Sequence, residues 1–324
     1  MLEWRTLAIG FFAVGALAFG AASAQQFPSR VVRIVVAGPP GGAADSLART
    51  VAQKLTTAWK RQVIVDNRPG ASGQIGTALV AKAAPDGYTF MIGHNGTHAI
   101  NVGLRQKLPY DPVADFVPIT LAATFPNVIL VHPSLPARSV KDLIALAKAQ
   151  PGQLSYGTSG VGFPQHLAAE FFSARAGIKM LHVPYKGSSA ALIDGIAGNV
   201  PILFPNLGVA LPHMESGRLR ALAVTSLKRS TAAPQLPTVA EAALPGYEVT
   251  TWFGFLAPAA VPPDVVRELH SATTRALRDP DVQSIVAAQG GDIVASTGPE
   301  LGAFIKAELN KWAAIIKWSG ATAE

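Results

Sequence analysis

The chain has no cysteine in its 324 residues. That excludes disulfide bonds and thiolate metal sites, and an exported protein built this way relies on a large core instead of covalent staples, as in a bacterial periplasm. Aromatic residues are scarce, at 7%, and Lys and Arg are scattered along the chain. The net charge of +7 therefore favours anionic partners in general without the basic, stacking surface that nucleic acid needs. Catalytic signatures are missing too. There is no G-x-S-x-G elbow: Ser72 stands in Gly70-Ala-Ser-Gly73 and Ser159 in Gly157-Thr-Ser-Gly160. His94 and His98 are four apart but lack the Glu of an H-E-x-x-H frame, so ligand hydrogen bonding or loop structure accounts for them better than zinc. No metal, no cofactor and no enzyme activity is expected; a secreted hydrolase would need the nucleophile pair absent here.

Long apolar runs are absent beyond residues 7–19, which follow Arg5 and precede Ala22-Ser23-Ala24. These are the n-region, h-region and A-x-A site of a secretory leader, predicting a signal peptide over residues 1–24 and cleavage before Gln25. The run falls short of the ~20 residues that span a bilayer. The mature chain of about 300 residues is then periplasmic and long enough for two lobes.

Strands and helices alternate along that chain. Apolar Ile34 to Val36, the helical spacing of Leu47, Val51 and Leu55, and apolar runs at Val63 and Tyr88 predict a βαβαβ unit with a parallel sheet. Past Asn101 the pattern loosens through Pro109, Pro112 and Pro118. A second series follows: a strand near Leu154 to Gly157, a glycine-rich loop over Thr158, Ser159, Gly160 and Gly162, a helix from Gln165, then Pro184-Tyr-Lys-Gly187 opening another helix. Thr297 and Glu300 form a capping box for a last helix whose Leu301, Ile305, Leu309, Trp312 and Ile316 share one face. The expected fold class is α/β: two lobes, each a parallel-rich sheet flanked by helices, joined by two strands near Val128 and Phe253. The expected lobe boundaries are 25–126 plus 223–324 for lobe one and 127–222 for lobe two.

Chemistry concentrates where strands hand over to helices. Pro39-Pro40-Gly41-Gly42 leads into a helix N-terminus, whose free N–H groups suit an anion. It lacks the Gly-Lys-Ser/Thr of a nucleotide loop, which favours a carboxylate over a triphosphate. A plain βα turn reads equally well from this segment alone. Asp45 would repel an anion beside it, so a carboxylate there must sit on the amides of Gly41 to Ala44.

The ordered segments PPGGAAD (39–45), DNRPGASGQIG (66–76), APDGYTF (84–90), THAIN (97–101), LPYDPVADF (108–116), HVPYKGSSAAL (182–192) and LRALAVTS (219–226) resemble the Bug family, the periplasmic solute receptors of tripartite tricarboxylate transporters. The resemblance spans the mature chain. It implies a type II-like periplasmic binding protein whose two lobes close over an organic carboxylate without catalysis. By position, the implied ligand shell on lobe one is Gly38, Pro40, Gly41 and Gly42 with Asn95, Thr97 and His98. On lobe two it is Thr158, Ser159, Gly160, Gly162 and Phe163, then Tyr185, Gly187 and Ser188, and the turn at Pro205-Asn206. The chain departs from the family at Gly38, where many members carry an aromatic, and at Phe163-Pro164, where they carry Ser or Thr. These departures imply a pocket that keeps its carboxylate end and is more apolar at the other, provided Phe163 does not face the lobe core. The implied partners are the small carboxylate and the transporter's membrane subunits, with the receptor a monomer; a ligand-presenting regulator of a membrane sensor kinase is the alternative.

Overall fold

A computed structural model describes residues 27–104, 107–161 and 163–319; the expected signal peptide and Gly162 lie outside the described residues. The chain opens with β1 (Val32–Val36), α1 (Ala43–Trp59), β2 (Val63–Asn67), α2 (Gln74–Ala81) and β3 (Thr89–His94). A π-helical turn at Gly96–Ile100 runs into α3 (Asn101–Leu104), and β4 (Phe116–Pro126) completes this part. β5 (Val128–Val131), α4 (Val140–Ala149), β6 (Ser155–Thr158), α5 (Pro164–Ala176), β7 (Leu181–Pro184), α6 (Ser188–Ile196), β8 (Ile202–Leu203), α7 (Leu207–Glu215) and β9 (Arg220–Val224) make the second part. α8 (Val239–Ala242) still packs with the second part, and β10 (Thr250–Pro258), α9 (Pro263–Leu277), α10 (Pro280–Ala288), β11 (Asp292–Ile293) and α11 (Gly298–Ser319) return to the first.

Two sheets result, in the orders β11-β4-β10-β3-β1-β2 and β7-β6-β8-β5-β9. Both are mixed rather than parallel throughout. β1 pairs in parallel with β2 and β3, whereas β10 runs antiparallel to β3 and β4. In the second sheet β6 is parallel to β7 and β8, and β5 is antiparallel to β8 and β9. The antiparallel members include β4, β5 and β10, which run directly into or out of a crossing between the sheets.

Hydrophobic spacing explains the layers. Leu47, Val51 and Leu55 of α1 are each at most 1% exposed and pack on Val32 and Ile34 of β1 and on Phe90. Each such burial is worth roughly 1.5–3 kcal/mol. The N-cap of α4 is Ser139, whose side chain accepts the Asp142 N–H. In α11, Leu301 and Ile305 pack on the first sheet, while Trp312, Ile315 and Ile316 belong to the core of the second.

The chain passes between sheets at Asn127, the single residue between β4 and β5, and again at Val249–Thr250. These crossings are laced together. Thr225 Oγ1 accepts from Asn127 N–H at 2.9 Å and donates to Val249 O at 2.6 Å. Tyr247 and Val249 are fully buried in the core of the second sheet, so residues 225–249 pack with that sheet. α11 is a third tie that periodicity did not reveal. Among the described residues no helix is long and apolar enough to cross a membrane.

Candidate functional site

A cleft of two connected compartments, about 560 and 550 Å³, lies between the sheets. Gly38, Pro39, His94, Asn95, Phe163 and Pro164 line both. The first compartment adds Pro69, Ser72, Gly73, Ile100, Asn101, Leu104 and Val161. The second adds Gly42, Phe125, Gln165, Asn206, Gly208, Val209, Thr251 and Phe253. A Cβ on Gly208 would lie 2.2 Å from the Gln289 carbonyl, so only glycine allows α7 and the end of α10 to approach closely enough to wall this compartment.

Helix starts converge here. α1, α5 and α7 begin at Gly42, Phe163 and Asn206, all three at the cleft, and none of these residues caps its helix through a side chain. Elsewhere α4, α8 and α10 are capped by Ser139, Thr238 and Asp279, and Thr297 bonds the Glu300 N–H at the start of α11, while α2, α6 and α9 also start without a side-chain cap, at Gly73, Gly187 and Pro262. The first N–H groups of an uncapped helix lack intrahelical partners and carry the positive end of its dipole. Three such ends around one cavity make an anion seat. No Lys, Arg, Asp or Glu lines either compartment among the described residues.

Polar side chains form a chain along the cleft wall, from the second sheet's helices to β10 of the first. Ser159 Oγ donates to Gln165 Oε1 at 3.0 Å, Gln165 Nε2 donates to Asn206 Oδ1, and Asn206 Nδ2 reaches Thr251 Oγ1 at 3.5 Å. On lobe one His94 Nδ1 accepts the Gly96 N–H at 3.0 Å, which places the imidazole proton on Nε2. Burial pushes His94 down to about 4, so it is a neutral donor near neutral pH.

The expected site residues divide. Gly38, Gly42, Asn95, Phe163 and Asn206 line the cleft. Phe163 is 54% exposed and therefore does not face the lobe core. Gly41 and Pro40 are exposed at the loop tip, and the Gly41 N–H is already bound by Asp45 Oδ2 at 2.9 Å. Burial raises the Asp45 pKa, but bonds from Arg49, Gly41 and Asn67 outweigh it and hold the carboxyl below its usual range. The amides left to a ligand in this loop therefore start at Gly42.

Thr97 and His98 lie beneath the cleft, both fully buried. Thr97 Oγ1 bonds the His94 backbone N–H at 3.1 Å and His98 Nδ1 at 2.8 Å. The His98 ring packs edge-on to Phe116, in space kept by Gly93, where a Cβ would come within 2.7 Å. Thr158, Ser159 and Ser188 surround a separate cavity of about 10 Å³, and Thr158 Oγ1 is spent on His182 Nε2 at 2.6 Å. Gly160 donates its N–H to Thr158 Oγ1, Gly187 its N–H to Ser159 O, and Tyr185 its hydroxyl to Asp194. The Tyr185 hydroxyl is pushed up to about 12, by burial first and by Asp194 second. Sequence reasoning missed Ser72, Gly73, Gln165 and Thr251 as cleft residues, and left His94 between ligand hydrogen bonding and loop structure. The uncapped Phe163-Pro164-Gln165 helix start was the available signal for Gln165.

Burial, aided by His94, also lowers His98 to about 3. A histidine kept neutral when folded but titrating near 6.5 when unfolded binds fewer protons in the native state. Stability is then full above about pH 6.5 and falls toward the folded values. His98 alone should cost about 1 kcal/mol between pH 6.5 and 5.5. Urea titrations across that range should show the decline, and His98→Gln should flatten it; an unchanged slope would count against a neutral, buried His98.

Residues 47–321 match the family described as Tripartite tricarboxylate transporter family receptor. Protein BugT of Bordetella pertussis is 36% identical over 314 residues, covering 97% of this chain and 96% of BugT. An R. palustris protein solved with adipate is 37% identical with a TM-score of 0.76, covering 91% of this chain and 99% of that one. The periplasmic binding protein BugD is 32% identical with a TM-score of 0.72, covering 92% and 100%.

Proposed function

The chain belongs to the tripartite tricarboxylate transporter receptor family, and from that premise we propose that it captures an organic carboxylate in the periplasm and hands it to the membrane subunits of a tripartite transporter. Members of this family are solute-binding receptors, not enzymes. One observation carries the carboxylate reading: three helix N-termini, none capped by its own side chain, open on a cleft that has no ionised side chain among the described residues. Backbone amides hold a carboxylate there by hydrogen bonds and aligned dipoles. The adipate bound to the R. palustris relative supports the same chemistry.

Capture proceeds by closure about the crossings at Asn127 and Val249. Gly42 and Asn95 belong to one lobe and Phe163 and Asn206 to the other, so a ligand touches both sets fully only when the lobes approach. Its binding energy therefore favours the closed form. Delivery follows because a transporter that recognises the closed shape takes up only loaded receptor.

Protein recovered from the periplasm is expected to begin at Gln25. With a bound acid at 100 times its dissociation constant, it should gain ~2.7 kcal/mol of stability, read as a rise of several degrees in melting temperature. The uncharged amide of the same acid should leave the melting temperature unchanged. If no acid in a broad panel gives a shift while sugars or nucleotides do, the carboxylate reading fails.

A further inference from the structure

The family is named for tricarboxylates, yet among the described residues the cleft of this chain has no charged side chain to pair with a second or third carboxylate. No cationic side chain lines either compartment among the described residues. The three uncapped helix starts gather at the second compartment, beside Gly42, Gln165 and Asn206. In the first compartment Asn101 Nδ2 is committed to Ser72 O at 3.0 Å, and Thr97 lies below the surface. α2 also starts there, at Gly73, but the Gly73 and Gln74 N–H groups are spent on Gly70 O and Ala71 O, and much of the remaining lining is apolar: Pro69, Ile100, Leu104, Val161 and the Phe163 ring. A carboxylate pushed into that space would lose its water without gaining a partner, a heavy penalty for a charge. An apolar group entering the same space gains by leaving water.

Phe163 stands where the compartments meet. It occupies the N-cap position of α5, where a Ser, Thr, Asp or Asn would bond the helix's own N–H groups. Phenylalanine leaves those groups free and adds an apolar wall. A Cβ on Gly160 would sit 3.2 Å from the ring, so glycine lets the ring lie close against the loop. Val161, 41% exposed, extends the same wall.

We propose that this receptor is specific for monocarboxylic acids with an apolar body of aromatic size, the carboxylate at the α1, α5 and α7 N-termini and the body running past Phe163 into the first compartment. The proposal rests on the carboxylate reading above and narrows it. A hydroxyl on the body is tolerated beside Ser72 and His94, because both are neutral partners; a second ionised group is not.

Isothermal titration of the mature protein with 3-phenylpropanoate, adipate and citrate tests the proposal. 3-Phenylpropanoate is expected to bind at least 10-fold tighter than adipate, and citrate weakest of all. Phe163→Ala, which removes the ring without supplying a side-chain cap, should weaken 3-phenylpropanoate by about 10-fold and leave adipate within about threefold. Val161→Asn, on the same wall, should reproduce that order and guards against a misfolded first variant. Tighter binding of adipate or citrate, or equal loss of all acids in both variants, overturns the proposal while leaving the carboxylate reading intact. Failure of every acid to bind overturns both.

Discussion

Glu308→Ala is expected to lower stability by about 3–5 kcal/mol, a fall of roughly 5–10 °C in melting temperature. Glu308 is 2% exposed on α11. Its Oε2 accepts from Trp252 Nε1 at 2.9 Å and Trp312 Nε1 at 2.8 Å, and its Oε1 pairs with Lys311. Both indoles are fully buried, Trp252 in the core of the first sheet and Trp312 in that of the second. Removing the carboxylate leaves two buried N–H donors without this acceptor and Lys311 without this partner, which is why the cost exceeds that of an ordinary hydrogen bond. Glu308→Gln keeps a carbonyl acceptor and should lose less. Urea unfolding of the three proteins settles it; an Ala variant within 1 kcal/mol of the native protein would sink the account. Because the carboxylate spans two cores, its loss should also broaden the transition or split it in two.

Asn206→Asp is expected to move binding and stability in opposite directions. Asn206 is the N-cap of α7 with extended backbone and no cap bond of its own. Aspartate there accepts from α7's free N–H groups and complements its dipole, which should add about 0.3–1 kcal/mol. The bonds to Gln165 and Thr251 survive, since Gln165 still donates and the Thr251 hydroxyl turns to donate. A bound carboxylate, however, now faces a like charge about 5 Å away. At an effective dielectric constant near 20 that costs about 3 kcal/mol, or more than 100-fold in affinity. Titration calorimetry beside thermal melts reads both effects. Retained affinity would place the ligand's carboxylate away from α7, and a fall in stability would refute the vacant cap.

Much of the fold was legible along the chain because burial repeats with the period of each element. α1 runs from Ala43 to Trp59 and β5 from Val128 to Val131, as the apolar spacing indicated. Proline hid the rest. β4 is 11 residues long but contains Pro118, and the sequence there reads as loosened chain. Pro118 fits because the β4–β10 register shifts between Phe255 and Leu256, the residue opposite it, and such an irregularity spares a ladder hydrogen bond. α7 was hidden likewise by Pro212 within it.

The candidate site divides along the same line. Glycine loops at strand ends and the ordered family segments pointed to residues that line the cleft, Gly38, Gly42, Asn95, Phe163 and Asn206 among them, and the local alternation of strand and helix was enough for that. Which groups remain free for a ligand was decided by partners distant in sequence. Thr158 is spent on His182, Gln165 is bonded to Asn206, and Asn206 reaches Thr251, over separations of 24, 41 and 45 residues. A hydroxyl or amide in a glycine loop looks alike on paper whether it faces the cleft or is consumed behind it. Periodicity reports only the face a residue presents to its own element; the pairing that uses up a donor or leaves it vacant is set by how separate elements pack together.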